Sequence, residues 1–288
     1  MPPDPKGSVT AVWTDLERPP LREAALRRAM VTPAGPYAAL DVVTTVPSTN
    51  TALVHRAGQG APDRTVLIAE YQSAGRGRAG RSWVAPARSG LALSVLLRPT
   101  AVPQSRWSWL PLLAGVALCT TVRTVAELPA VLKWPNDLLL GAHQHKAAGI
   151  LAELVPGQSA VVIGMGLNVT LRPDELPGPT ATSLAIENAA CTDRDPLLRA
   201  LLRALDGELR QWGDHEGDPV ASGLQDTYRK HCATLGQRVR VELPGELALT
   251  GTAADIDTEG RLVVQCDGQQ RVLSVGDVTH VRAVQPYR

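Results

Sequence analysis

The stretch AEYQSAGRGRAGRSW, residues 69–83, interleaves three arginines with three glycines. TVLIAEYQ (65–72) runs into it and LALSVLLRP (91–99) follows it, and both runs are rich in the aliphatic residues that are typical of β-strands. The stretch, called the arginine loop below, is therefore predicted to join two strands. Glycines let backbone amides approach an anion, and arginines offer forked donors that match phosphate oxygens.

Two other interpretations fit the arginine loop when it is considered alone. An isolated Arg/Gly stretch is most simply an exposed, solvated loop. It also resembles an RNA-binding Arg-Gly-Gly segment, although such segments usually form long low-complexity tracts and this one occurs once. The loop by itself therefore does not decide between a phosphate ligand, an RNA and solvent.

The charge of the whole chain is almost balanced, with 29 basic and 28 acidic residues among 288. A nucleic-acid-binding protein usually carries a clear basic excess, so the arginine loop is a local feature. No run of eighteen apolar residues predicts a membrane span, and the polar, proline-rich start lacks the order of a secretion signal. Four widely spaced cysteines predict reduced thiols, and we expect a cytoplasmic protein with no membrane partner.

A second cluster of polar residues lies in VLKWPNDLLL (131–140) and KAAGILAELV (146–155), two apolar runs that predict a hairpin. Only four residues of the chain are lysine, and two of them, Lys133 and Lys146, lie here. Ammonium groups neutralise phosphate charge, and a carboxylate such as that of Asp137 can hold Mg²⁺. The hairpin is therefore a second candidate for contact with a phosphate.

The remaining chain alternates between strand and helix patterns before it changes character. Apolar residues recur at helical spacing over 21–30, 49–58, 107–128 and 195–212, the last with Asp195 as its predicted N-cap. Further strands are predicted over 41–50 and 159–171, and glycines inside the second indicate close approach of a ligand or a backbone. Residues 1–20 are expected to be disordered and 213–223 to form a linker. From residue 236, short strands with turns predict a small barrel.

Several motifs occur together in a fixed order along the chain. They are Ser48-Thr49-Asn50, Gln72 before GRGRAGRSW, then KWPND, KAAGILAE and GMGLNV. From about Asp41 onward this series resembles the biotin protein ligases, the biotin–[acetyl-CoA-carboxylase] ligase family. GRGRAGRSW and KWPND are highly specific to that family, and both match without a break.

The resemblance implies an α+β fold. It consists of a mixed, largely antiparallel sheet with helices on one side, followed by a small SH3-like β-barrel. The implied organisation is an N-terminal extension, partly disordered, over 1–38, a catalytic domain over 39–230 and the barrel over 236–288. A winged-helix repressor domain needs roughly sixty packed residues, and the segment before Ser48 does not fit one. We therefore expect a ligase without specific DNA binding.

The reaction implied by the resemblance has two steps and uses biotin and ATP as substrates, with Mg²⁺. Biotin and ATP first give biotinoyl-5′-AMP and pyrophosphate. A lysine of a biotin carboxyl carrier protein or domain then takes the biotinoyl group. No covalent enzyme intermediate is needed, which agrees with a sequence that contains neither a P-loop nor a nucleophile-elbow motif. The sequence leaves open whether the protein is a monomer or a homodimer.

The resemblance also implies a role for each motif residue. The implied biotin-binding residues are Ser48, Thr49, Asn50, Gln72, Gly75, Arg76, Gly77, Arg78, Lys146, Gly149 and Gly166. The implied nucleotide-binding residues are Arg78, Arg81, Trp83, Lys133, Asn136 and Asn168, and Asp137 is the implied partner of Mg²⁺. Lys146 and Arg78 are the implied catalytic residues, because both should contact phosphate. Trp83 either stacks on adenine or anchors the loop in the core.

Two competing functions remain at this stage. A lipoate–protein ligase or octanoyltransferase shares the catalytic fold but lacks the GRGRAGRSW motif and surrounds a longer acyl chain. A nucleic-acid-binding regulator that uses the arginine loop would bind DNA or RNA in a salt-sensitive manner without biotin. The balanced charge and the short N-terminal segment both argue against the regulator.

Overall fold

The computed structural model describes residues 18–242, 248–274 and 276–280, which form two β-sheets. The larger sheet consists of β1 (Ala39–Val43), β2 (Thr65–Ala69), β3 (Gly90–Leu97), β4 (Val131–Lys133), β5 (Asp137–Leu140), β6 (His145–Leu154) and β7 (Val161–Asn168). Their order across the sheet is β1-β2-β3-β7-β6-β5-β4. Strands β1 and β2 are parallel, and all other neighbours are antiparallel. The predicted mixed, largely antiparallel sheet is confirmed.

Helices cover both faces of this sheet unequally. They are α1 (Glu23–Met30), α2 (Thr49–Gly58), α3 (Leu110–Val125), α4 (Arg194–Asp214) and α5 (Leu224–His231). Alternate residues of a strand face opposite sides. Val66 and Ile68 of β2 therefore join the main core with α1, α3 and α4, whereas Leu67 packs with Leu53 of α2. Helices α1, α3 and α4 form a layer on one side, as expected, and α5 adds to the same core, whereas α2 lies on the other side.

The helical stretch Gln104–Val125 is long and apolar enough to cross a membrane, but 67% of its apolar window is buried inside the fold. Leu113, Val116 and Leu118 are fully buried in the main core. A helix that is apolar all round is typical of the centre of a larger domain. In this protein the stretch serves as the central core helix.

The hairpin predicted from 131–140 and 146–155 is present as β5 and β6, which pair antiparallel, but the first run is not one continuous strand. Strand β4 ends at Lys133, β5 begins at Asp137, and these two residues pair with each other in an antiparallel hairpin. Pro135 lies in the turn, where its missing N–H costs no ladder hydrogen bond. Trp134 is buried beside it. The KWPND motif is therefore a tight turn at the end of the sheet.

The predicted cap of the helix over 195–212 was displaced by two residues. Helix α4 begins at Arg194, and its N-cap is Asp193, whose carboxylate accepts a hydrogen bond from the Asp195 N–H at 2.9 Å. Asp195 lies in the first turn and pairs with Arg22 of the N-terminal segment at 3.0 Å. Either aspartate fits the sequence signal for a cap, and the structure assigns the cap to Asp193.

The segment after α4 contains a short helix that the sequence did not reveal. The stretch 213–223, predicted as a linker, leads into α5, where Leu224 and Tyr228 are buried. Tyr228 packs edge-on against Trp109, with ring centroids 6.4 Å apart. Helix α5 therefore packs into the main core.

The N-terminal segment is also packed where the structure describes it. Leu26 and Met30 of α1 are buried in the main core, which confirms the predicted helix. Arg18 pairs with Glu175 at 2.6 Å. The predicted disorder falls mostly on residues 1–17, which lie outside the described residues. The domain limits 1–38, 39–230 and 236–288 stay predictions, although residues 18–38 pack on the large sheet.

A second, all-β unit follows, as predicted. Its strands are β8 (Arg238–Glu242), β9 (Ala248–Ile256), β10 (Leu262–Cys266), β11 (Gln269–Leu273) and β12 (Asp277–His280), all antiparallel in the order β11-β10-β9-β8-β12. The turn between β9 and β10 contacts the first domain. The Trp109 and Trp134 indole N–H groups donate to the carbonyls of Thr258 (2.8 Å) and Gly260 (3.0 Å), respectively. The KWPND turn therefore rests against the barrel.

Candidate active site

A cavity lies on the sheet face that α2 covers. Gly149 and Glu153 of β6 pair with Gly166 and Val162 of β7, and paired residues point to the same side. Val162 packs with α2 in the smaller core cluster, which identifies this side as the α2 face. The cavity therefore lies beside α2, opposite the three-helix layer.

The first turn of α2 forms a polar wall of the cavity. Ser48, Thr49 and Asn50 are at most 4% exposed. Ser48 caps the helix, because its hydroxyl accepts a hydrogen bond from the Thr51 N–H. The Gln72 side-chain oxygen accepts hydrogen bonds from the Thr49 N–H (2.8 Å) and hydroxyl (3.1 Å). These contacts join the start of α2 to the start of the arginine loop.

The side-chain amide of Asn50 is fixed by three hydrogen bonds to two strands, β3 and β6. Its oxygen accepts a hydrogen bond from the Ser94 hydroxyl at 2.6 Å. Its nitrogen donates to the Leu151 carbonyl (3.1 Å) and the Glu153 carboxylate (2.8 Å). An alanine Cβ at Gly164 would lie 2.2 Å from the Asn50 oxygen, so only glycine leaves room there. A buried network of this kind holds one side-chain orientation.

The arginine loop is a narrow hairpin that lies over the cavity. The Trp83 N–H donates to the Gly75 carbonyl (2.8 Å), and the Gly77 N–H donates to the Arg81 carbonyl (2.6 Å). At the tip, Ala79 and Gly80 both have positive φ, which allows the chain to reverse. The hairpin therefore directs its arginines toward the sheet and the KWPND turn.

Contacts from the loop reach two other elements. Arg76 pairs with Glu153 of β6 at 3.5 Å. Arg78 donates to the Asn136 side-chain oxygen at 3.2 Å. Glu153 thereby joins the arginine loop to Asn50, since its carboxylate contacts both.

The indole ring of Trp83 lies across two glycines of the sheet. A Cβ at Gly166 would be 2.4 Å from its Cε2 atom, and one at Gly149 would be 3.2 Å from its Cζ3 atom. Glycines inside β7 were predicted to mark close approach of a ligand or a backbone, and the group that approaches Gly166 is an aromatic side chain. The ring therefore forms a wall of the cavity, and its role toward adenine stays a prediction.

A β-bulge turns Lys146 toward the cavity. The pairing of β5 with β6 shifts between Leu138 and Leu139, so that Lys146 pairs with Leu139 and Ala148 with Leu138. Bulges commonly redirect one side chain next to a functional site. The Lys146 ammonium lies 2.6 Å from the Asp137 carboxylate and 5.9 Å from the centre of the Trp83 ring.

The cavity has a volume of about 110 Å³ and gathers most of the predicted site residues. Those that line it are Ser48, Thr49, Asn50, Gln72, Arg76, Gly77, Arg78, Arg81, Trp83, Asn136, Lys146, Gly149 and Gly166. Among the described residues, every charged side chain that lines it is a cation: Arg76, Arg78, Arg81 and Lys146. Asn50 contacts Leu151 of β6, whereas the Lys146 ammonium lies beside Gly149 of the same strand. The cavity therefore has a polar end at Asn50 and a cationic end at Lys146, which suits a ligand with an uncharged polar head and an anionic tail.

Four predicted site residues do not line this cavity. Gly75 is needed for the hairpin, because a Cβ there would lie 2.3 Å from the Trp83 carbonyl oxygen. Asn168 is buried and donates to the Thr182 carbonyl at 2.9 Å. Lys133 lies at the end of β4. Asp137 contacts the cavity through Lys146.

Several lining residues were not predicted. They are Ser82, Leu93, Ile150, Leu151, Gly164 and Met165, and Ser94 lies directly behind the wall. A sequence signal existed for two of them. Ser94 is a polar residue inside an apolar strand, and Gly164 is the first glycine of GMG. Ser82 belongs to the arginine loop itself, and the remaining four are ordinary apolar strand residues that only the register of the sheet brings here.

A wider cleft of about 510 Å³ adjoins the cavity. Arg78, Asn136, Ile150 and Leu151 line both spaces. The opposite wall of the cleft belongs to the barrel and includes Glu259, Gly260, Arg261 and Ser274. A ligand too long for the cavity could therefore extend past Arg78 and Asn136 toward the barrel.

The donor groups near the cavity limit how it could hold a metal. Over residues 18–242, 248–274 and 276–280, no group of three or more His, Cys, Asp or Glu side chains is placed to bind one ion. Mg²⁺ is commonly held by one or two carboxylates together with substrate phosphates and water. Asp137 fits that pattern as a single protein ligand, provided that the substrate supplies the other oxygens.

The cysteines give no nucleophile to the cavity. All four are free thiols, and none lines it. Burial raises the pKa of Cys119 to about 11 and raises the pKa of Cys232 as well. A thiol with a raised pKa stays protonated and unreactive near neutral pH. The cysteines therefore supply no reactive thiolate to this cavity.

The chain matches two protein-family models and is similar to individual biotin ligases along most of its length. Residues 42–169 match the model of the biotin/lipoate A/B protein ligase family, and residues 234–281 match that of the biotin protein ligase C-terminal domain. The biotin–[acetyl-CoA-carboxylase] ligase of Mycobacterium tuberculosis is 45% identical over 272 residues, which cover 93% of this chain and 98% of that protein. The bifunctional ligase/repressor BirA of Escherichia coli is 32% identical over 231 residues, or 79% of this chain and 69% of that protein.

Solved structures give the same relationship. The biotin protein ligase of Aquifex aeolicus in complex with biotin and ATP superimposes with a TM-score of 0.71 at 26% identity, covering 86% of this chain and 100% of that chain. A biotin protein ligase of Leishmania major with biotinyl-5-AMP, at 21% identity and a TM-score of 0.56, shares the fold. Both similarities extend across most of this chain.

Proposed function

This chain belongs to the biotin/lipoate A/B protein ligase family and catalyses the ATP-dependent attachment of biotin to protein, and we propose that the cavity beside α2 is where it does so. The main support is that the cavity has two different ends. Asn50 forms a buried polar end, and Lys146 forms a cationic end. Biotin has an uncharged ureido head and a carboxylate tail, so its two ends match the two ends of the cavity.

We assign the polar end to the ureido group. Ser48, Thr49, Asn50 and Gln72 offer hydroxyl and amide groups, and the network around them holds their side chains in place. A site of preorganised polar groups rejects a ligand that cannot hydrogen-bond to it. The dithiolane ring of lipoate has no N–H or carbonyl group, which favours biotin over lipoate in this cavity.

The cationic end supports formation of biotinoyl-5′-AMP, which is a mixed anhydride of a carboxylic acid and a phosphate. A carboxylate oxygen of biotin attacks the α-phosphorus of ATP, the bond to the bridging oxygen breaks, and pyrophosphate leaves with that electron pair. Negative charge accumulates on the α-phosphate oxygens during this step. Lys146 and Arg78 are the proposed catalytic residues, because preorganised cations stabilise charge that develops in the transition state.

Transfer to protein needs no further catalytic group from a cysteine or serine. The uncharged ε-amine of the acceptor lysine attacks the acyl carbon, AMP leaves with the anhydride electron pair, and the nitrogen gives up one proton to water as the amide forms. We propose that the nucleotide extends past Arg78 and Asn136 into the cleft between the cavity and the barrel, since these two side chains line both spaces. Arg81 and Trp83 are the other proposed nucleotide contacts from the loop.

We propose that Mg²⁺ arrives with ATP, on whose phosphates it would neutralise charge, and that Asp137 is its protein partner. The Asp137→Asn variant is expected to need several-fold more Mg²⁺ for half-maximal adenylation, because one anionic ligand is lost. Titration of pyrophosphate release with Mg²⁺ measures this. An unchanged Mg²⁺ requirement with a lower maximal rate would assign Asp137 to the positioning of Lys146 alone.

Gly166→Ala tests the aromatic wall of the cavity. The added Cβ would lie 2.4 Å from the Trp83 ring, which must move. Overpacking typically lowers the free energy of unfolding by about 1–3 kcal/mol, and biotin should bind several-fold more weakly in calorimetry because the displaced ring changes the wall of the cavity. Gly178→Ala is the matched control, because no atom lies within 4 Å of a Cβ there. Equal biotin affinity in the two variants would contradict the proposal that the Trp83 ring over Gly166 forms a wall of the biotin site.

The proposed acceptor is a lysine on the biotin carboxyl carrier domain of a biotin-dependent carboxylase. We further propose that the chain works without specific DNA binding and in the cytoplasm, where its thiols stay reduced. The nearest alternative is a lipoate ligase. Parallel assays of pyrophosphate release with biotin and with lipoate separate the two, and faster release with lipoate would contradict the assignment.

A further inference from the structure

The connection between β2 and β3, residues 70–89, carries the arginine loop and therefore most of the cationic end of the cavity. Its function depends on how its two ends are fixed, because a displacement of about 1 Å at reacting groups can cost about 10²-fold in rate. Glu70 is the first residue of this connection, and Gly90 is the first residue after it. Both are contacted by one side chain from a distant part of the chain.

That side chain is Arg194, at the start of α4. Its guanidinium donates to the Glu70 carboxylate at 2.5 Å and to the Gly90 carbonyl at 3.4 Å. Arg194 is 5% exposed and Glu70 is 8% exposed, so the ion pair is buried. A single guanidinium therefore joins the two ends of the connection to α4.

The N-terminal segment completes the same arrangement. The second terminal nitrogen of Arg194 donates to the Pro19 carbonyl at 2.6 Å, and the Leu21 N–H donates to the other carboxylate oxygen of Glu70 at 2.7 Å. Arg18 anchors this segment by its pair with Glu175. The forked guanidinium makes three contacts in different directions, which a lysine ammonium with a single nitrogen cannot reproduce with the same geometry.

We propose that Arg194 is a positioning residue for the proposed ligase reaction. By fixing both ends of residues 70–89, it sets where Arg76, Arg78 and Trp83 lie over the bound adenylate, although it touches no substrate itself. This inference depends on the proposed function in one respect, because it takes the adenylate to be the group that the loop covers. The positioning of the loop can be measured without any ligand.

The chain offers a matched control at the opposite end of the same strand. Arg64 immediately precedes β2 and forms an ion pair with Asp206 of α4. Both ion pairs therefore join β2 to α4 through a buried carboxylate. They lie about 20 Å apart by the length of an extended strand, and only the Arg194 pair touches the ends of the arginine-loop connection.

The test compares Arg194→Lys with Arg64→Lys in the full-length protein. Three quantities are measured: the midpoint of thermal unfolding, the KM for biotin, and the rate at which preformed biotinoyl-5′-AMP leaves the enzyme without acceptor. Both variants should lose thermal stability to a similar extent. Arg194→Lys alone should raise the KM and the rate of adenylate loss, on the order of tenfold, while Arg64→Lys stays within about twofold of wild type. Equal changes in both variants, or none in Arg194→Lys, would overturn the proposal.

A ligand-free measurement separates this inference from the proposed function. Trypsin should cut after the loop arginines faster in Arg194→Lys than in wild type or Arg64→Lys, because the ends of the hairpin are no longer fixed. If wild type failed to form the adenylate while this difference persisted, the ligase assignment would fail and the positioning role would stand. If Arg194→Lys does not fold, Glu70→Gln takes its place with the same expectations, and unchanged cleavage and adenylate loss in that variant would refute the role.

Discussion

Lys146→Ala is expected to slow the formation of biotinoyl-5′-AMP by about 10²–10³-fold, because it removes a cation from the point where the α-phosphate gains charge. Loss of one preorganised donor in a transition state typically costs about 2.7–4 kcal/mol. The bulge in β6 directs the Lys146 ammonium over Gly149, within 2.6 Å of Asp137. The side chain is one third exposed and contributes little to the core, so the variant should stay folded.

The rate of pyrophosphate release in a single turnover measures directly how much Lys146→Ala slows adenylation. Lys230→Ala is the matched lysine control, since Lys230 is exposed on α5 and does not line the cavity. The control should release pyrophosphate at the wild-type rate. Adenylation that survives nearly intact in folded Lys146→Ala would refute the catalytic assignment of this lysine.

Arg78→Gly is expected to release biotinoyl-5′-AMP about 10- to 150-fold faster than wild type, because one or more charge-assisted hydrogen bonds worth about 1.5–3 kcal/mol are lost. Arg78 lines both the cavity and the adjoining cleft, and it contacts Asn136 at 3.2 Å. The measurement is the rate at which labelled adenylate leaves the purified enzyme after rapid gel filtration.

A second substitution separates the side chain of Arg78 from its backbone. Arg78 lies next to Ala79, which has a positive φ, so glycine could also loosen the hairpin. Arg78→Ala removes the guanidinium with less added backbone freedom and should release the adenylate almost as fast. Rapid release from the glycine variant alone would assign the effect to the backbone, and release at the wild-type rate from both would contradict the contact with phosphate.

The sequence predicted those parts of the fold that depend on local patterns. Runs of aliphatic residues located β2, β3 and β7, and the change to short strands located the barrel. The turn inside 131–140 was missed because Trp134 occupies an apolar position that fits a strand equally well. Its actual environment depends on the Gly260 carbonyl, 126 residues away along the chain. Hydrophobic periodicity does not report contacts of that range.

In the candidate site, too, local sequence patterns were predicted and long-range contacts were not. The motifs located the lining side chains of α2, the arginine loop and Lys146, because each motif is contiguous in sequence. Two connecting residues were missed: Ser94 behind Asn50 and Arg194 at the ends of the loop connection. Glu153 belongs to the second polar cluster of the sequence, but its contacts with Asn50 and Arg76 were not predicted. Arg194 and Glu70 are separated by 124 residues. Only the packing of α4 against the sheet brings such pairs together.

The most direct test of the proposed site is transfer of biotin to a carrier domain, measured by intact mass. The wild-type protein is incubated with biotin, Mg·ATP and a biotin carboxyl carrier domain, beside Lys146→Ala and a reaction without ATP. We expect one biotinoyl group on a single lysine of the carrier with wild type, and almost none in the other two reactions over the same time. Unmodified carrier with wild type, or equal modification with Lys146→Ala, would contradict the assignment of this cavity as the site of biotin activation.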